Sequence, residues 1–255
     1  MHNNKQGWFI QFPAFISSIA FVGVEISSLA FAQTPPIQPN HTLVAQNMRN
    51  QGNQSQNQTN SDREEIFFEM KGDEVRQCKL DNKGVKQCNE VGRGYKMGLR
   101  IGNDLYNQGS FANAETILRQ LTDRYPKEPE GQYRLGTVLM RQGKTEEAIS
   151  KYRETIKLNS EHAKAHNDLG VVLASQGEIE SAITEWKQAL KINSEYAEAL
   201  SNLGVALLQK GDKNKEEGIN NLKKARDIFK KQGRTQSANR IDEILQQITK
   251  EKNIM

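Results

Sequence analysis

The sequence predicts an all-α fold in which one helix-turn-helix unit is repeated and stacked. Two observations predict it. Gly102, Gly136, Gly170 and Gly204 stand 34 residues apart, and Gly109, Gly143, Gly177 and Gly211 keep the same interval. Between the glycines, apolar residues recur at helical spacing. Leu135, Leu139 and Gln142 fall on one side of a helix, and Ala148, Tyr152, Thr155 and Ile156 on one side of the next. Each helix pair alone leaves an apolar face uncovered, and stacking the copies covers it.

The chain opens with eight polar or weakly apolar residues carrying one basic group, Lys5. An apolar run follows, strongest from Phe9 to Val24 and ending in Leu29-Ala30-Phe31-Ala32. Ala30 and Ala32 give the small-x-small shape that a signal peptidase accepts, so residues 1–32 read as a secretory signal cleaved after Ala32. The competing reading is an uncleaved anchor, because Phe9 to Ala32 is long enough to cross a bilayer. Pro13, Glu25 and the lack of a basic stop after Ala32 speak against it. Either way the remainder is expected outside the cytoplasm, in a periplasm or in the thylakoid lumen of a photosynthetic bacterium. Residues 33–61 are dominated by Asn, Gln and Thr, and with little to bury they are expected to form a disordered linker.

Residues 62–94 change character. Glu65 to Met70, Glu74 to Leu80 and Val85 to Cys88 read as three short strands, with turns at Lys71-Gly72-Asp73 and Asn82-Lys83-Gly84. If Asn82-Lys83-Gly84 is a three-residue loop with Gly84 left-handed, Cys78 faces Cys88. A disulfide there contributes on the order of 3 kcal/mol and suits an oxidising compartment. The alternative is a metal site, for which two thiols without a nearby histidine are a poor set.

From residue 95 the repeats begin. An aliphatic residue precedes each first glycine (Ile101, Leu135, Leu169, Leu203) and a leucine follows three residues on (Leu105, Leu139, Leu173, Leu207). Ala114, Ala148 and Ala182 stand five residues after the second glycine; Gly218 takes that place in the fourth copy, displaced by two inserted residues within Asp212–Glu217. This 34-residue pattern is similar to the tetratricopeptide repeat family. The resemblance covers residues 95–232 and implies antiparallel helix pairs wound into a right-handed superhelical solenoid. Its units are expected at 95–128, 129–162, 163–196 and 197–232, and residues 233–255 as a capping helix and tail. In that helix Ala238, Ile241, Ile244, Leu245 and Ile248 form the apolar face, opposite Glu243, Gln246, Gln247 and Lys250. The family's closing proline survives as Pro126; Asn159-Ser160 and Asn193-Ser194 stand in its other places.

Composition narrows the function. The 255 residues carry a formal charge of +4, with basic and acidic residues interleaved as in Lys144-Thr145-Glu146-Glu147. That pattern gives a solvated helical surface and lacks the one-sided basic patch of a nucleic-acid binder. The sequence has no phosphate loop, nucleophile elbow or His-Glu-x-x-His helix. His162 and His166, four apart, are read as packing and surface residues and not as zinc ligands. Glu146-Glu147 and Glu216-Glu217 are read as first-turn carboxylates that complement helix dipoles. No cofactor or metal is expected.

What remains is the groove that the resemblance implies. Its positions map to Leu99, Asn103 and Tyr106, then to Tyr133, Thr137 and Met140. The next repeats supply Asn167, Val171 and Ala174, then Ser201, Val205 and Leu208, with Asn107, Arg141, Lys164, Ser175 and Gln209 flanking. The strip is apolar for bare surface and suits an extended or helical peptide. Only fragments of the family's carboxylate clamp are present, in Asn103, Lys164 and Asn167; Leu99 replaces an expected lysine. The expected activity is therefore non-catalytic: a scaffold holding a protein or peptide partner in envelope or membrane-complex assembly. The alternatives are self-association into a homo-oligomer and an accessory subunit of an enzyme complex.

Overall fold

The computed structural model describes residues 66–252; the signal, anchor and linker readings fall on residues outside that range. Three strands come first: β1 (Ile66–Lys71), β2 (Glu74–Leu80) and β3 (Lys86–Arg93). They form an antiparallel sheet in the order β1-β2-β3. The β2–β3 loop has Gly84 at φ +75°, with Asp81 donating from its backbone N–H to the Val85 carbonyl. Cys78 is paired with Cys88 in the register, their Cα atoms 4.1 Å apart, and the two are joined as a disulfide. β3 runs five residues beyond the expected end at Cys88. Asn89-Glu90-Val91 continue the ladder as far as a bulge opposite Val75 and Arg76, and the strand passes into the first helix without a loop.

Nine helices follow among the described residues. They pair as α1 (Gly94–Asn107) with α2 (Phe111–Arg124), α3 (Pro129–Arg141) with α4 (Thr145–Leu158), and α5 (Ala163–Ser175) with α6 (Ile179–Ile192). The fourth pair is α7 (Ala197–Gln209) and α8 (Asp212–Lys231), and α9 (Thr235–Lys252) closes the stack. None is long and apolar enough to cross a membrane.

The two glycine ladders do different jobs. The second ladder ends the first helix of each pair: Gly109, Gly143 and Gly177 adopt φ +77°, +74° and +84°, a region open to glycine at little cost. After each, the next N–H bonds back to the carbonyl of Leu105, Leu139 or Leu173, closing the helix end in a Schellman turn. The first ladder is a matter of space. A methyl on Gly136 would lie 2.9 Å from the Tyr152 ring, and one on Gly170 2.7 Å from Trp186 Nε1. These large side chains are seated on bare backbone, which is why Tyr152 and Trp186 are buried core residues. In the fourth pair Gly204 and Gly218 face one another so closely that a Cβ on either would meet the other's carbonyl at 3.0 Å or less. That contact explains the loss of the alanine found in the other copies.

The insertion in the fourth copy is absorbed as helix. α8 starts directly after Gly211, whereas α2, α4 and α6 start one residue later, and it runs to 20 residues. As a result Glu216-Glu217 lie beyond the first turn of α8, whose first-turn acid is Asp212; the dipole reading holds for Glu146-Glu147 in α4 but not for this pair. Asn159 and Asn193 end α4 and α6, and each side-chain oxygen accepts from the backbone two residues on, Glu161 and Glu195.

Both ends of the stack are finished differently. The sheet packs on the first pair. Phe68 and Val75 are buried, the Met70 N–H donates to Gln120 Oε1, and Asn113 reaches the Ile66 carbonyl. Asp73 in the β1–β2 turn accepts from Tyr125 Oη at 2.8 Å and pairs with Arg124 at 3.1 Å. In α1, Asp104 takes the place that buried Val138, Val172 and Ala206 hold in later copies, since no repeat precedes it. At the far end α9 buries Ala238 and Ile241 on α8, leaving Ile244, Leu245 and Ile248 half-buried.

Candidate functional site

The first helix of each pair carries the surface on which a partner could lie. Those of repeats 1 and 2, and those of repeats 3 and 4, touch directly, so they line the shorter, inner side of the stack. On each, residues at i, i+4, i+7 and i+11 form one stripe pointing away from the second helix. In α1 the stripe is Lys96, Arg100, Asn103 and Asn107; in α3 it is Glu130, Arg134, Thr137 and Arg141. In α5 it is Lys164, Asp168, Val171 and Ser175, and in α7 Glu198, Asn202, Val205 and Gln209. All are exposed or half-buried except Val205, at 8%.

The groove residues named from the sequence straddle this stripe. Arg141 and Lys164 are exposed, and Leu99, Asn103, Tyr106, Thr137, Met140, Val171, Ser201 and Leu208 are half-buried. Tyr133 and Asn167 are buried at 7% and 5%, and both are committed to the next repeat. Tyr133 Oη donates to Asp168 Oδ2 at 2.8 Å, and its ring lies between Tyr152 and His162, with centroids 6.0 and 4.7 Å away. Asn167 Oδ1 accepts from Asn202 at 3.1 Å, while its amide donates to Asp168 Oδ1 at 2.9 Å. They join repeats and have little surface left for a ligand. Leu99-Tyr133-Asn167-Ser201 therefore form a row rotated toward the following repeat, and the open surface lies nearer the row of Arg100.

Two consequences for electrostatics follow. Burial pushes the Asp168 carboxyl above the usual range, opposed by the bonds from Tyr133 and Asn167. Burial likewise drives the Tyr133 phenol far upward, with the Asp168 charge adding to it. Sequence reading missed that Asp168 and Asn202 are linking residues. The signal was a spacing of 35: each partner stands one position further along in the next copy.

Both histidines are engaged in hydrogen bonds within the chain. His162 caps α5, its Nδ1 accepting from the Ala165 N–H, and its Nε2 lies 3.3 Å from Glu130. His166 is held between Glu185 at 2.7 Å and the Ser160 carbonyl at 3.2 Å, and the Glu185 bond raises its pKa. Around the disulfide, a Glu69 oxygen and the two sulfurs lie within 4.8 Å of one another. The sulfurs are spent in their mutual bond, and Lys86 pairs with Glu69, so these residues do not fit a metal ion.

Comparison with known proteins agrees with this geometry. Family profiles described as tetratricopeptide repeats match residues 99–163 and 172–211. Over those residues the stacked helix pairs are tetratricopeptide repeats. A crystal structure of MamA is similar over 55% of this chain and 81% of its own, at 25% identity and a TM-score of 0.50. YrrB, described as a repeat protein with an unusual peptide-binding site, is similar over 59% of this chain and 75% of its own, at 22% identity and a TM-score of 0.48. The first repeat domain of Spaghetti bound to an HSP90 peptide covers 46% of this chain and 94% of its own, at 19% identity and a TM-score of 0.45. No curated protein sequence matches the chain.

Proposed function

We propose that the chain is a non-catalytic scaffold whose inner stripe, continuous over four repeats, holds a protein or peptide partner outside the cytoplasm. The observation that carries this is the row of side chains on α1, α3, α5 and α7, all exposed or half-buried but Val205, mixing cations, amides and apolar groups on a stiff support. Repeats of this family make such surfaces by stacking. The extracytoplasmic placement rests on the Ala30-x-Ala32 signal and the two cysteines, and assembly of envelope or membrane complexes is the role that fits it.

The test is capture from the native host with the tagged chain and with a blocked form, Asn107→Trp with Ser175→Trp. Both positions are exposed, so the blocked form should keep its helical circular dichroism. A partner held by the native chain and lost by the blocked one supports the reading; a partner held equally by both sinks it. The intact mass of the captured chain reports the signal, which should be missing residues 1–32. Self-association is the second reading, favoured by the half-buried Ile244, Leu245 and Ile248 on α9. It predicts a mass that rises with concentration in light scattering.

A further inference from the structure

The inner stripe is graded in charge from one end to the other. Repeat 1 contributes two cations, Lys96 and Arg100; repeat 2 contributes two cations against one carboxylate. Repeat 3 contributes one of each, and repeat 4 a carboxylate alone. The formal charge therefore falls by one with every repeat.

The carboxylates are already engaged and several of the cations are not. Glu130 is paired with Arg134 at 2.7 Å and faces His162, Asp168 is bonded to Tyr133 and Asn167, and Glu198 pairs with Arg234 from beyond the fourth repeat. In contrast Lys96, Arg100, Arg141 and Lys164 have no carboxylate within ion-pair distance among the described residues. Arg141 lies over the Phe111 ring at 5.4 Å, and Arg100 feels Asp104 one turn on without a hydrogen bond to it. Ion pairing thus engages Glu130 and Glu198 and leaves Lys96, Arg100, Arg141 and Lys164 without an ion-pair partner, Arg100 alone having a carboxylate, Asp104, one turn on. Over the same distance the i+7 residue changes from Asn103 and Thr137 to Val171 and Val205, and three of the four cations without an ion pair, Lys96, Arg100 and Arg141, lie on repeats 1 and 2.

The geometry points to an oriented ligand: a peptide segment with side-chain carboxylates at the end lying on repeats 1 and 2 and uncharged apolar residues at the end lying on repeats 3 and 4. This rests on the inner stripe being the binding surface, and adds what it binds and which way round. Complementary charge at the cationic half steers encounter and fixes register; half-buried Val171 and Leu208 supply the contact that salt does not screen. A basic or uniformly charged segment would leave one half mismatched.

Selection of random twelve-residue peptides on the intact chain tests it, followed by fluorescence anisotropy with the enriched peptides. The expected winners carry acidic residues clustered toward one end and apolar residues toward the other. Their affinity should fall at least tenfold in Arg100→Glu with Arg141→Glu, and severalfold between low and high salt. Replacing one peptide carboxylate by lysine should weaken binding to the native chain, and Arg141→Glu should restore it. Winners that are basic or uncharged, yet are lost on the form blocked at Asn107 and Ser175, overturn the charge assignment while the stripe stands as the binding surface. Winners indifferent to both sets of substitutions overturn the stripe itself.

Discussion

Tyr133 donates its phenol hydrogen to Asp168 across 2.8 Å, tying the first helix of repeat 2 to the first helix of repeat 3. Tyr133→Phe keeps the ring against Tyr152 and His162 and removes only that bond. The expected loss is about 1–2 kcal/mol in urea unfolding, because the half-buried carboxylate loses one of its two donors. A change within a few tenths of a kcal/mol would mean that water replaces the phenol without loss, and that the link contributes little to coupling between repeats.

The glycine ladders should respond to alanine by different routes. Gly170→Ala forces a methyl into the Trp186 ring at 2.7 Å, for about 1–3 kcal/mol of overpacking. Gly177→Ala meets nothing within 4 Å, yet must hold φ near +84°, at about 1–2 kcal/mol. Trp186 emission separates them: it should shift in the first variant and stay constant in the second.

His166 gives the protein a pH signature. Its folded pKa is raised by the Glu185 bond, so the folded state binds this proton more tightly than the unfolded chain. The resulting stability is fully present below the ordinary value near 6.5 and is lost as pH rises through the folded value. Glu185→Gln should therefore narrow its deficit against the native chain as pH rises from about 6 to about 8. A deficit that does not change with pH would show that the pair is not charged in the folded state.

Much of the fold was readable because its causes are local. Left-handed glycine at Gly109, Gly143 and Gly177, and the absence of a side chain at Gly136 and Gly170, leave their mark directly in the letters. The three strands and the Cys78–Cys88 register were legible for the same reason, through the loop ending at Gly84. The full reach of β3 was not, because Asn89-Glu90-Val91 alternate weakly and are held by the ladder to β2. Nor was the span of α8, since Gly211 resembles its counterparts while two inserted residues are taken up as extra helix. On the first helices the i, i+4, i+7 pattern picks out one side but not its rotation in the stack. Which row a neighbouring repeat covers depends on how the pairs stack, and Tyr133 and Asn167 are covered for that reason.

Reducing Cys78–Cys88 should act on one end of the molecule. The loop it closes is short, so the loss is about 2–3 kcal/mol at most and falls on the sheet. Hydrogen exchange should quicken in β2 and β3 and remain slow in α5 and α6, because stability in stacked repeats passes chiefly between neighbours. Equal quickening along the whole chain would show that the sheet and the repeats open as one unit.

Asp104 sets how this array can be lengthened. Its carboxyl is raised by burial even with a sheet in place of a preceding repeat, and it stands where Val138, Val172 and Ala206 are packed away. A duplicated repeat spliced ahead of α1 would shut that carboxylate into an apolar seam with Arg100, one turn back, as its nearest charge. A copy of repeat 3 spliced between repeats 2 and 3 instead sets valine beside valine and keeps the Tyr133-to-Asp168 bond at its first joint. Growth of such a chain by gene duplication, or by design, is therefore easier from within than at its N-terminal end.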